Sequence, residues 1–180
     1  MIYNYSELLK IYKNRYQIDK AIKNKEIIKV EKGIYSNTDY PNEIEIISKK
    51  YPNAIFTMGT AFYHYGLTDV IPEKYELAIK ENRKKITNNK IKVYSVSKIF
   101  FEVGKIKEKI DFIEVNIYDR ERLLIELIRN RNTITYEDYK EIITNYRNIS
   151  NDLEIRKIEK YIKFFKNGDN IFETIRKEVF

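Results

Sequence analysis

Hydrophobic and polar residues follow two periods along this chain, and each change of period marks a change of element. Residues 6–12 (SELLKIY) and 16–24 (YQIDKAIKN) carry apolar residues at helical spacing, with the polar turn Lys13-Asn14-Arg15 between them. Leu8, Leu9 and Tyr12 give the first helix a buried face. Ile18, Ala21 and Ile22, at i, i+3 and i+4, give one to the second. Asn4, followed three residues later by Glu7, resembles a capping box. The period then falls to two in EIIKVEKGIYS, which predicts two short strands joined across Glu31-Lys32-Gly33, with Gly33 supplying the turn. Helix, turn, helix and hairpin in this order predict a winged helix-turn-helix over residues 1–37, a module that lays its second helix in a DNA groove.

The turn-forming stretch NTDYPN at 37–42 is expected to separate this module from a second domain over 42–180. There the pattern predicts a helix at 43–50 ended by Tyr51-Pro52-Asn53, and a strand at 54–56. A helix at 58–66 follows, stopped at Gly66, then a loop over 67–72 and a strand at 75–79. Residues 81–90 are polar and read as a turn between strands, and 91–96 and 112–118 alternate as strands do. Four helices close the chain: one from Asp119, then 135–147, 152–166 and 169–179. Their apolar stripes are Leu123, Leu124, Leu127 and Ile128; Tyr139, Ile142, Ile143 and Tyr146; and Ile155, Ile158, Ile162 and Phe165. Asp152 and Asp169 are expected to cap helix N-termini. The class is α+β: an N-terminal winged helix, then a mixed α/β domain of a small sheet ending in a helical segment.

Charge gives the second helix a role. At about 100° per residue, Tyr16, Gln17, Lys20, Lys23 and Asn24 fall opposite its apolar residues, with Arg15 at the helix start and Asp19 on the flank. That face holds amides, ammonium groups and a phenol but no carboxylate, a set that reaches base edges and phosphates. Lys29 and Lys32 on the hairpin are available to phosphate. The candidate DNA-binding residues are therefore Arg15, Tyr16, Gln17, Lys20, Lys23, Asn24, Lys29 and Lys32. The net charge is +7, and residues 1–36 hold eight Lys or Arg against four acids. A basic N-terminal module fits nucleic acid. Lys, Ile, Asn and Tyr abound throughout, as an A·T-rich coding sequence would give, so part of the lysine is background.

The catalytic inventory is thin. The five glycines are scattered, which leaves no Walker A loop and no dinucleotide fingerprint, and no Gly-Ser turn precedes paired aspartates as a nucleotidyltransferase needs. With no cysteine there is no thiol nucleophile, disulfide or thiolate metal site, and a cytoplasmic location is expected. The start of the chain lacks a basic region followed by an apolar core, so no signal peptide is expected, and no apolar run approaches the roughly 20 residues of a membrane span. His64, the single histidine, can be a general base or a packing residue. Asp138-Tyr139-Lys140 has the acid-x-Lys spacing of metal-dependent nucleases but lies inside an amphipathic helix. Arg122 and Glu126, at i and i+4 on one helix face, read as a modest helix-stabilising pair or as a clamp within the core, rather than as catalysis. No catalytic residue, metal site or cofactor is expected.

The block FTMGTAFYHYGLTDVIPEKYELAI (56–79) resembles the middle of the AbiEi abortive-infection antitoxins of type IV toxin–antitoxin systems. In that family a small-residue helix ends in a Tyr/His-Gly-Leu-Thr-Asp loop followed by Ile-Pro and a strand. Here His64, Gly66, Leu67, Thr68, Asp69 and Pro72 carry that likeness. EKGIYS resembles the family's end of wing, and DRERLLIELIR its Glu-Arg-x-x-x-Asp/Glu helix, through Glu121, Arg122 and Glu126. With the order of elements, the resemblance spans nearly all of the chain. It implies a winged helix that binds inverted repeats in its own promoter and represses it. It also implies a second domain that neutralises a co-expressed nucleotidyltransferase-like toxin, with no stable complex required, and a monomer or weak dimer without membrane association. Family members carry a further helix ahead of the two read here, where only five residues precede Ser6; the module is then minimal or is completed by packing from elsewhere in the chain. Two other readings stand beside this one: an ordinary repressor whose second domain binds an effector or dimerises, and a nuclease-like enzyme built on the same sheet.

Overall fold

The computed structural model describes residues 1–83 and 86–180, so Lys84 and Lys85, within the polar 81–90 stretch, lie outside it. The fold is mixed α and β, with two sheets. The chain forms two compact units, residues 1–53 with 109–114 and residues 54–108 with 115–180. No helix among the described residues is long and apolar enough to cross a membrane.

The first unit runs β1 (Ile2–Asn4), α1 (Tyr5–Tyr12), α2 (Arg15–Lys23), β2 (Ile28–Glu31), β3 (Ile34–Ser36) and α3 (Glu43–Lys50). The capping box is present: the Asn4 side chain accepts from the Glu7 N–H at 2.9 Å, and the Glu7 carboxylate accepts from the Asn4 N–H at 2.8 Å. Asn14 caps α2, its Oδ1 accepting from the Gln17 N–H at 2.9 Å. Gly33, at φ +80°, makes the turn that an L side chain would strain. The sheet has three strands rather than two. β1, absent from the sequence expectation, pairs antiparallel with β3, which also pairs with β2. A strand of three residues shows no period; it forms because β3 offers a free edge.

α3 also belongs to this unit, although the sequence expectation placed the boundary at 37–42. It contacts β1 and β3 and buries Ile44 and Ile47. Glu45 Oε1 accepts from the Ile2 N–H at 2.9 Å, Lys49 bonds Glu7 at 2.7 Å, and Lys50 bonds Glu31. A helix from beyond the hairpin thus braces the short N-terminal module.

The second unit contains β4 (Ile55–Phe56), α4 (Met58–His64), β5 (Tyr75–Lys80), β6 (Ile91–Val96), most of β7 (Lys105–Ile110) and β8 (Ile113–Tyr118), then α5 (Arg120–Asn130), α6 (Tyr136–Asn148), α7 (Ile155–Ile162) and α8 (Gly168–Glu178). The sheet order is β6-β5-β4-β8-β7. β4 runs antiparallel to β5 and parallel to β8, and β5 runs parallel to β6. Because β5 and β6 run parallel, the connection between them is not a hairpin. β7 was not anticipated, because KIKEKI places only two apolar residues in six.

α5 is buried almost all round, not along one stripe: Ile125, Glu121, Arg122 and Glu126 are buried with the four expected leucine and isoleucine positions. Two expected caps are corrected. Asp152 lies in a short 3-10 turn and α7 begins after Glu154, while Asp169 lies inside the first turn of α8, after Asn167. Ile155 is also corrected: at 44 % exposure it opens α7 outside the stripe of Ile158, Ile162 and Phe165.

Candidate functional site

In the first unit, Leu8, Ile18, Ala21, Ile27 and Tyr35 form a small core, with Tyr3, Leu9, Tyr12 and Ile22 packed around it. The aliphatic residues of α2, Ile18, Ala21 and Ile22, turn inward. Arg15, Tyr16, Gln17, Lys20, Lys23 and Asn24 are all exposed on the helix and its C-cap, Tyr16 at 77 %. Lys29 on β2 and Lys32 in the hairpin turn are exposed as well.

The acids around this surface are largely engaged. Asp19 faces Arg15 at 3.7 Å, both well exposed, a pair that takes little from either charge. Glu26 accepts from the Asn24 side-chain amide at 3.0 Å, so that amide is already partly engaged. Glu7 and Glu31 are met by Lys49 and Lys50 of α3. That last neutralisation escaped the sequence reading; the only signal was the Lys-Lys pair ending EIEIISKK. Burial alone would raise the Glu7 carboxyl, but the Lys49 and Asn4 hydrogen bonds outweigh it and hold it below its ordinary 4.5. A lowered folded-state pKa means stability fully present above pH 4.5 and lost as pH falls through the folded value. The stability difference between the native chain and Lys49→Met is therefore expected to be constant near neutrality and to shrink below pH 4.5 in urea titrations. A difference that grows on acidification would contradict the brace.

In the second unit the residues of the 64–72 motif fasten a loop. Gly66 turns the chain at φ +65°. Leu67 is buried, and its carbonyl accepts from the Asn145 side chain at 3.2 Å. Thr68 Oγ1 accepts from the Val70 N–H at 3.1 Å, and the Asp69 N–H donates to Glu141 at 2.9 Å. His64 is half-buried, its ring 5.0 Å from that of Tyr65. Pro72 lines a cleft of about 410 Å³ together with Met58, Phe62, Tyr94, Asp138 and Ile142. On its wall Glu76 accepts from the Gly59 N–H, from Tyr94 Oη at 3.0 Å and from Lys92 at 2.7 Å. Burial, with Glu76 beside it, pushes the Tyr94 hydroxyl up to about 12, so it remains a donor. Met58 sits at φ +45°, a conformation that costs a side-chain-bearing residue about 1–3 kcal/mol and clusters at ligand sites.

Arg122 and Glu126 form a clamp inside the core. The Arg122 guanidinium donates to the Phe100 carbonyl at 2.7 Å, the Val103 carbonyl at 2.9 Å and Glu126 Oε1 at 3.1 Å, and lies 4.4 Å from the Tyr118 ring centre. Glu126 also accepts from Arg129 at 2.7 Å. Gly104 passes so close that a Cβ there would stand 2.4 Å from Arg122 Cβ. Among the described residues, no three histidine or carboxylate side chains converge as a metal set would. Asp138 lines the cleft while Lys140 is exposed on α6.

A scan against protein-family models gives no match to this chain, and a search of curated proteins finds none that matches.

Proposed function

We propose that this chain is a non-enzymatic, DNA-binding antitoxin of the AbiEi type, acting in the cytoplasm. The first unit, read as a winged helix, represses the promoter from which the chain is expressed. The second neutralises a nucleotidyltransferase-like toxin. The observation that carries the DNA reading is α2 itself: Ile18, Ala21 and Ile22 are turned inward, and its outward face holds Arg15, Tyr16, Gln17, Lys20 and Lys23 with only Asp19 for an acid. The order of elements in the first unit and the 56–79 block support the family reading. Inverted repeats are then read by two copies, as a weak dimer or as monomers on adjacent half-sites.

In this reading Gln17 and Lys20 meet base edges, where Gln pairs bidentately with adenine and Lys with guanine, while Lys29 and Lys32 hold phosphates. Gln17→Ala and Lys20→Ala are each expected to cost about 1–3 kcal/mol on the operator and far less on random duplex, whereas Lys32→Ala weakens both alike. Anisotropy titrations against the two duplexes check this, and equal losses for Gln17→Ala on both would exclude base reading.

The two roles separate in cells. The full-length chain carrying Gln17→Ala and Lys20→Ala is expected to lose repression of a promoter reporter and still to restore growth to cells expressing the cognate nucleotidyltransferase-like toxin. Loss of both together would mean that the first unit takes part in neutralisation.

The cleft beside strained Met58 favours a second reading, an ordinary repressor gated by a small effector. It predicts that a metabolite raises the melting temperature of the chain and shifts its operator affinity, and that no neighbouring gene product is toxic in its absence.

A further inference from the structure

Outside residues 1–36, a short basic segment is residues 155–167, IRKIEKYIKFFKN, with five Lys or Arg against a single acid. A longer one, residues 80–109, holds ten against three. The short segment is α7 and the turn after it, within the second unit.

α7 sorts its cations by face. Lys157 is half-buried and lies within 3.4 Å of Asp119 and Glu154 and 3.6 Å of Glu121. Arg156, Lys160, Lys163 and Lys166 are exposed, and among the described residues none has a carboxylate at ion-pair distance. Arg156, Lys160 and Lys163 fall at i, i+4 and i+7, one stripe with a cation about every 5–6 Å. Like charges at this spacing destabilise a helix. Relief of the helix dipole accounts for cations in the last turn, but Arg156 stands in the first, where the dipole opposes it. Beside the stripe Phe164 is 44 % exposed.

We infer that this stripe with Phe164 is a second nucleic-acid contact, directed at unpaired strands, in which the four cations track phosphates and Phe164 stacks a base. It is independent of the reading of α2. Residues 155–166 contain no Asn or Gln, so they have no amide to read duplex base edges, unlike α2 with Gln17. An aromatic ring beside a cationic track is the arrangement that holds single strands, since an unpaired base offers its face. A lipid surface fits less well: the strongly apolar face of α7, with Ile158, Ile162 and Phe165, is buried in the core, leaving Ile155 and Phe164 as its outward apolar side chains.

The test is anisotropy of labelled oligo-dT and oligo-U, about 20 nucleotides long, against the full chain at about 50 mM salt. A random duplex and vesicles of equal parts phosphatidylcholine and phosphatidylserine run alongside. Lys160→Gln/Lys163→Gln/Lys166→Gln is expected to weaken strand binding at least about tenfold and to flatten its salt slope by about 2. Phe164→Ala is expected to weaken it about tenfold with the slope unchanged. Arg15→Gln/Lys20→Gln/Lys23→Gln should leave strand affinity within about threefold. All these positions are exposed, and circular dichroism verifies the fold. The inference is overturned if the α7 variant binds strands like the native chain, or if the α2 variant abolishes the binding. It is equally overturned if vesicles bind and strands do not, or if Phe164→Ala is silent while duplex and strand are bound alike. A wild-type salt slope smaller than about one overturns it without recourse to any variant.

Discussion

Arg122→Met is expected to lower the melting temperature of the second unit by about 6–20 °C. Methionine fills much of the same volume, so the loss is electrostatic rather than a cavity. Removing one partner of a buried pair costs about 3–5 kcal/mol because the other charge stays behind, and for a chain of this size each kcal/mol shifts the midpoint by about 2–4 °C. Here more than one partner is orphaned. Glu126 keeps only Arg129 and the Asn130 side chain, the Val103 carbonyl loses its donor, and the Phe100 carbonyl keeps only the Val103 N–H. The ring of Tyr118 also loses its cation, while Phe100 and Phe165 lose one of two and keep Arg129. Replacing a whole buried ion pair by apolar residues is often neutral, but that requires every polar partner to go with it, and backbone carbonyls cannot be removed. Scanning calorimetry at neutral pH is the check; a midpoint within about 3 °C of the native chain would show that the 100–103 loop does not depend on the clamp.

Affinity for the promoter duplex is expected to fall about 10³-fold between 50 and 200 mM salt, if about six phosphates are contacted. Exposed Arg15, Lys20, Lys23, Lys29 and Lys32 supply most of that count, and the outward face of α2 sets only the flanking Asp19 against them. Lys49 and Lys50 contribute indirectly by neutralising Glu7 and Glu31. Gel shifts across the salt series measure the slope. An affinity that does not change over this range would remove the DNA reading of the first unit, whatever the activity of the second.

Much of this molecule was legible in its hydrophobic periods. α1 and α2, the turn at Gly33 and the helix at 43–50 follow from apolar spacing, caps and turn residues that act over three or four positions. The capping box at Asn4 and Glu7 is a local object and formed as its spacing required. The outward set on α2 was legible for the same reason: once Ile18 and Ala21 are buried, helix geometry alone decides which side chains face away.

What the chain could not announce was settled by partners far away in sequence. β1 exists because β3 gives it an edge, and α3 joins the first unit through Ile44, Ile47, Glu45, Lys49 and Lys50. β7 carries too few apolar residues to show a period and is held by its neighbour in the sheet. Ile155 has the spacing of the α7 stripe but stands at the helix start, where the core does not reach it. Asp152 and Asp169 have the chemistry of caps, yet the helices begin elsewhere. Sequence by itself gives Arg122 and Glu126 as a pair four residues apart, either a surface pair or a clamp within the core, without choosing between them. Only the tertiary structure closes the Phe100–Val103 carbonyls and three aromatic rings around that pair, turning what would be a weak surface contact into a buried clamp, because a charge removed from water must have every hydrogen bond met by the protein.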